Sequence, residues 1–175
     1  QTPEAPALSY RQLSVTFSTD AGPVRAVDDV TFDVKPGEVL AVVGESGSGK
    51  SVSSRAAIGL LPDTARVTGT VLLGDRDVAG LSDKQFTALR GKDIAMVFQE
   101  PGAALDPLFT VGYQVSEALR AHGGMDRKQA RQRAVELLRM VRLPDPEARY
   151  DYYPHQLSGG QKQRVVIACA IACDP

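Results

Sequence analysis

Long apolar runs are missing from this chain. The longest, Val165 to Cys173, covers nine residues. A bilayer span needs about twenty, so the chain is not expected to cross a membrane. An excess of one charge is missing too, with 20 Lys+Arg against 21 Asp+Glu and a net charge of −1. Neither a basic nucleic-acid arm nor an acidic solvating tail fits that balance. Cysteine is scarce. Cys169 and Cys173 are the only two, inside an apolar helical pattern. They offer no disulfide framework and fit a reducing cytosol. One helical turn apart, they could imitate a metal pair, but small core residues are the simpler reading. The N-terminus has no basic region leading into an apolar stretch, so no secretory signal is expected. It does not begin with Met, which reads as a processed or engineered start. Internal repeats and low-complexity blocks are absent. What remains is 43% apolar and 23% charged, close to the globular average. A chain of 175 residues can bury a core without staples, as one domain with room for a subdomain.

Residues 1–7 read as a loose tail. Leu8 to Phe17 alternates as a strand, with Leu13, Val15 and Phe17 on one face. Arg25 to Val34 reads as a second strand, closed by the turn Lys35-Pro36-Gly37-Glu38. Val39-Leu40-Ala41-Val42-Val43 is short and wholly apolar, the pattern of a parallel strand buried on both faces. A helical stretch from Lys50 to Leu61 follows, ended by Pro62. Val67 to Leu73 and Asp93 to Phe98 are further strand candidates. Ser82 to Arg90 reads as a short helix with a Ser82/Gln85 capping box. From Val111 to Leu143 the pattern is helical, split by Gly123-Gly124. A last helix spans about Ser158 to Cys173. The basic residues between Arg120 and Arg142 lack interleaved aromatics and read as a solvated helix face. The order predicts an α/β core with a helical insertion near 101–156.

Gly44-Glu45-Ser46-Gly47-Ser48-Gly49-Lys50-Ser51 fits G-x-x-x-x-G-K-[ST]. Glycines let the backbone curl so that successive N–H groups face phosphate oxygens. The helix starting there adds its positive end. Lys50 can reach the β- and γ-phosphates of a nucleotide, and the Ser51 hydroxyl can bind Mg²⁺. The loop lies between an expected strand and a helix, the context this chemistry requires.

A second glycine-rich helix start follows at Leu157-Ser158-Gly159-Gly160-Gln161. Ser158 and Gln161 make a capping box, but that does not explain two glycines in the first turn. A glycine inside a helix costs up to about 1 kcal/mol relative to alanine. Here the glycines bare backbone N–H groups to an approaching anion.

Together the phosphate loop, Phe98-Gln99-Glu100-Pro101, a helical insertion and Leu-Ser-Gly-Gly-Gln resemble the nucleotide-binding domain of an ABC transporter. The resemblance runs from about Leu8 to Pro175. It implies a P-loop NTPase core with an N-terminal antiparallel β subdomain and an inserted α-helical subdomain. Residues 8–100 would form the β subdomain and core, 101–156 the helical subdomain, and 157–175 the signature motif with its returning helix. ATP would be held by Gly44, Glu45, Ser46, Gly47, Ser48, Gly49, Lys50 and Ser51. In a head-to-tail dimer, Ser158, Gly159, Gly160 and Gln161 would meet that ATP in trans. Ser51 and Gln99 would hold Mg²⁺, and Gln99 would couple metal and attacking water to the helical subdomain. Lys50 and Gln99 are the catalytic residues this implies. Adenine would stack on Phe17, with Tyr10 as competitor and Ala26 flanking the base.

The stretches Gly44 to Val52, Met96 to Pro101 and Tyr153-Pro154-His155-Gln156 resemble the oligopeptide/dipeptide/nickel importers. The implied partners are a second ATPase subunit, identical or not, membrane permease subunits and, indirectly, an extracytoplasmic solute-binding protein. No nucleic-acid partner is expected, and the site of action would be the cytoplasmic face of the membrane. In the family an apolar strand ending in Asp-Glu follows the signature helix and carries the general base; this sequence stops at Asp174-Pro175. His122 and His155 both precede that region, so neither is the family's switch His, and His155 reads as a local loop contact. Two alternatives therefore stand beside an importer ATPase. One is a fragment that holds nucleotide without hydrolysing it. The other is a soluble ABC ATPase of repair or translation.

Overall fold

The computed structural model describes residues 5–175. The first four residues of the expected tail lie outside the described residues. Ala7 is tied to its neighbours, its N–H donating to Val34 O at 2.8 Å. The chain divides into two compact units, one ending at Ala88 and the other running Leu89–Pro175.

The first unit is built on an antiparallel sheet of order β2-β1-β3-β4. Its strands are β1 (Leu8–Thr19), β2 (Gly22–Val34), β3 (Ala65–Leu73) and β4 (Arg76–Asp77). β1 lies in the middle, so Tyr10 faces Phe32 on one side and Val71 on the other. Leu13 and Val15 are fully buried and Phe17 is half-buried, as the alternation predicts. Ser9 is buried too, its hydroxyl donating to Asp33 Oδ1 at 2.6 Å, and so is Tyr10, whose parity simple alternation does not allow. A bulge explains it: the register shifts between Tyr10 and Leu13, where Gln12 takes φ 50°. One extra residue moves the buried set to the other parity.

Helix α1 (Lys50–Ala57) packs on the sheet. It stops short of the expected Leu61 because Gly59, at φ 63°, ends it. The Leu60 N–H reaches Arg55 O and the Gly59 N–H reaches Ala56 O, the paired bonds of a Schellman cap. Helix α2 (Asp83–Thr87) carries the predicted Ser82/Gln85 capping box.

Two predicted strands do not form. Residues 39–43 have no regular structure, and Val39 and Val43 are 96% and 87% exposed. A parallel strand takes its hydrogen bonds from strands brought from elsewhere in the chain. No described strand lies beside this one. Asp93 to Phe98 likewise shows only a single bridge, Arg90 to Ile94.

The second unit is helical: α3 (Pro101–Ala104), α4 (Val111–Gly123), α5 (Arg127–Met140), α6 (Pro146–Arg149), a 3-10 turn (Pro154–Gln156) and α7 (Gly159–Ala170). The split at Gly123-Gly124 is as predicted, with Gly124 in the left-handed conformation that ends α4. Asp126 and Gln129 then cap α5 from both directions. One continuous core joins Val111, Val115 and Leu119 of α4, Leu137 and Leu138 of α5, and Val165 and Val166 of α7. Tyr150 closes it, its hydroxyl 2.8 Å from Ser116 Oγ. Gly112 lies so close that a Cβ there would sit 2.2 Å from the Tyr150 ring. Cys169 and Cys173 pack against the core as free thiols, and burial pushes Cys169 up to about 12.

Candidate functional site

The phosphate loop runs through the first unit between residue 44 and the start of α1. Gly49 is the N-cap of α1 and takes φ 86°. A Cβ there would stand 2.5 Å from Ala26 O and 3.1 Å from Val27 Cγ2. Glycine is therefore required twice, by the left-handed backbone and by the close approach of β2. The N-cap offers no side-chain acceptor, so the first amides of α1 are left for an outside anion.

Lys50 folds back over the loop. Its ammonium donates to Gly44 O at 2.7 Å, Glu45 O at 2.6 Å and Ser48 Oγ at 3.1 Å. A cation held over a curl of backbone at a helix start is a ready partner for phosphate. Ser53 is buried in the next turn and anchors it, its hydroxyl donating to Gly49 O and Lys50 O. Ser46, Gly47, Ser48 and Ser51 are exposed. These residues suit a triphosphate and its cation. Cationic, amide and hydroxyl groups converge, and no carboxylate joins the Lys50 contacts.

The aromatic candidates separate by burial. Tyr10 is only 3% exposed, stacks on Phe32 at 4.3 Å and donates to Ser53 O at 3.3 Å. Burial pushes its hydroxyl up to about 12. It is a core residue that supports the loop's helix from below. Phe17 lies at the hairpin end, opposite Val24 and Ala65. It is half-buried, with part of its ring open.

The other candidates belong to the second unit. Gln99 lies in an exposed bend before α3. Ser158 caps α7, accepting from the Gln161 N–H at 3.4 Å, while the Ser158 N–H donates to Gln161 Oε1 at 3.1 Å. Gly159 and Gly160 are exposed, and a Cβ added at either meets nothing within 4 Å. Nothing in their own unit requires glycine there, so its packing does not account for the pair. His155 stacks on Tyr153 at 5.7 Å, the local contact expected of it.

An exposed apolar cluster escaped the sequence reading. Leu108 is 78% exposed, and Phe109 stacks on Tyr113 at 4.8 Å. Tyr152, also exposed, is joined to the start of α4 through Val111 N–H to Tyr152 O. The available signal was Leu108-Phe109 in a stretch with no apolar periodicity to bury it. Among the described residues no helix is long and apolar enough to cross a membrane, and no group of three or more His, Cys, Asp or Glu could hold a metal ion.

Comparison with known proteins shows what the chain resembles. The oligopeptide transport ATP-binding protein OppD of Mycobacterium tuberculosis is 51% identical over 172 residues, covering 98% of this chain and 28% of that protein. The dipeptide transport ATP-binding protein DppD of Escherichia coli is 49% identical over 169 residues, covering 96% of this chain and 52% of that protein. The chain thus spans about a quarter to a half of the relatives it matches. A dimeric, post-hydrolysis structure of the ATP-binding cassette MJ0796 with ADP and Pi superposes with TM-score 0.84 at 32% identity, covering 96% of this chain and 70% of that one. The fold is that of an ABC ATPase cassette, mixed α/β with an antiparallel sheet and helices. The ABC transporter profile matches residues 27–175, and the chain belongs to that family.

Proposed function

We propose that this chain is the ATP-binding part of an importer's ATPase subunit, coupling ATP binding and hydrolysis to uptake of a peptide-like solute. The observation that carries it is the Lys50 ammonium seated on Gly44 O, Glu45 O and Ser48 Oγ at the uncapped start of α1. Half-identity to peptide-import ATP-binding proteins supports the solute class.

On this reading Lys50 exchanges its carbonyl partners for β- and γ-phosphate oxygens. The loop amides from Glu45 to Ser51 hold the same phosphates, and the Ser51 hydroxyl and Gln99 side chain hold Mg²⁺. The metal, when bound, neutralises charge on the transferred phosphoryl group. Phe17 stacks the base. Ser158, Gly159, Gly160 and Gln161 serve the partner's nucleotide, which explains glycines that their own unit does not require.

The exposed cluster of Leu108, Phe109 and Tyr113 is the face we assign to a permease. Transport needs a membrane path, and no described helix supplies one. On this reading a permease partner supplies that path, with this chain docked at the cytoplasmic face of the membrane. Apolar side chains left in water suit a protein interface.

Lys50→Ala should abolish ATP binding in a nucleotide titration, and unchanged affinity would overturn the assignment. Phe109→Asp should leave nucleotide affinity alone and lose the permease in a pull-down. A protein that dimerises with ATP yet never captures a permease would argue against transport.

A further inference from the structure

Two helices of this chain end in the same way, with different residues. In α1 the left-handed position is Gly59. In α5 it is Arg142, at φ 58°. The Leu143 N–H reaches Leu138 O and the Arg142 N–H reaches Arg139 O, the Schellman pair again. A side chain in that conformation carries a strain that glycine avoids. Something holds it there. Arg164 of α7 donates through Nη1 to Val141 O at 3.3 Å and to Arg142 O. Its guanidinium thus sits on the negative end of α5.

Arg164 is also the sixth residue of α7, one turn beyond Gly159, Gly160 and Gln161. Leu157, Val165 and Val166 anchor the buried side of α7 in the core and the Ser158/Gln161 box closes its first turn, while the two glycines lie exposed on the solvent side of the helix start. Resting on the functional reading above, we infer that Arg164 is a positioning residue. Its bonds to the strained end of α5 set the direction and pitch of the signature helix, so that its first-turn amides stand ready for the partner's phosphate. Arg142 is the other half of the device, because its left-handed backbone turns two carbonyls toward one guanidinium.

The test compares R164Q, R164K and the double variant R142G/R164Q with the purified parent protein. Backbone hydrogen exchange is followed at Gln161 and Lys162, whose amides donate to Ser158 Oγ and Ser158 O, and at the end of α5. Fluorescent ATP binding and ATP-driven dimerisation by sedimentation are measured alongside. R164Q should speed exchange at Gln161 and Lys162 by roughly fivefold, the scale of a cation at a helix C-terminus. It should raise the ATP concentration for half-maximal dimer by a similar factor and leave the affinity for a single nucleotide unchanged. R164K should recover part of both effects. R142G removes the strain, so R142G/R164Q should restore the thermal midpoint and the end of α5 while the start of α7 stays fast. If R164Q exchanges like the parent at Gln161 and Lys162, or if R142G restores those two amides as well, Arg164 merely caps α5 and the inference falls. If the parent protein stays monomeric at saturating ATP, the functional reading falls instead, and the exchange comparison still decides the role of Arg164.

Discussion

The sheet unit and the helical unit differ in how much of their structure their own residues can complete. A helix satisfies its backbone within itself, and three such helices with matched apolar faces close a core. Val111, Val115, Leu119, Leu137, Leu138 and Val165 do this within Leu89–Pro175. In the first unit only the β1–β2 hairpin is local, turning at Asp20-Ala21; β3 returns to β1 from far along the chain, pairing Ala65 with Phe17 and Leu73 with Leu8. The apolar stretch 39–43 asks for parallel neighbours, and parallel neighbours come only from distant crossovers. Helical packing and antiparallel pairing are thus finished within the units, and the parallel pairing that 39–43 calls for is not formed among the described residues.

The largest effect that would break this comparison lies in the helical core. Gly112→Val places its side chain where the Tyr150 ring stands, 2.2 Å from even a Cβ. Tyr150 cannot swing away without losing Ser116 Oγ and the Arg131 guanidinium stacked 4.0 Å from its ring centre. Overpacking of this kind should cost about 3 kcal/mol, read by urea denaturation of the second unit. Fluorescent nucleotide binding at the loop of the first unit should persist. Joint loss of both would show that the two units do not fold separately.

Much of this was legible in the residues. The glycine-rich starts of α1 and α7 are visible in the spacing of Gly44 to Ser51 and Leu157 to Gln161, and the capping boxes at Ser82 and Ser158 fix two helix starts. Other features were hidden for physical reasons. The bulge at Gln12 has no composition signal, so Tyr10 became buried against the alternation. The end of α5 at Arg142 uses a residue that normally avoids that backbone. Val39 to Val43 has the pattern of a buried strand, but pattern reports what a segment could pair with, not whether the pairing strands are beside it.

A middle-sized effect sharpens the contrast through pH. Each unit holds an acid whose proton is retained by burial, Tyr10 in the sheet and Cys169 packed against the helical core, both pushed up to about 12; burial raises Cys173 as well. A raised native value means that the unfolded chain releases its proton first. The stabilisation is therefore complete below the unfolded values, 10.0 for Tyr10 and 9.0 for Cys169. It is lost as pH rises from there toward about 12. Tyr10→Phe should cost about 1 kcal/mol at neutral pH for the lost bond to Ser53 O, while flattening the alkaline decline above pH 10. Cys169→Ala should flatten it from pH 9 upward. Thermal midpoints across that range check both. Equal slopes in parent and variants would exclude these groups as the cause.

The smallest effect is the most discriminating for the unfinished sheet. Val43 is 87% exposed, so Val43→Asp in this chain removes no packing and buries no charge. Its cost in a urea melt should lie within about 0.5 kcal/mol, the range of ordinary surface changes. The same substitution in a parallel strand covered on both faces would place a carboxylate in apolar surroundings, at a cost of several kcal/mol. A near-zero result means that residues 39–43 stand ready but unpaired, and that the phosphate loop is held by β2 at Gly49 and by Ser53 beneath it. A large loss means that some part of the protein already covers the segment, and the loop then rests on a finished parallel sheet.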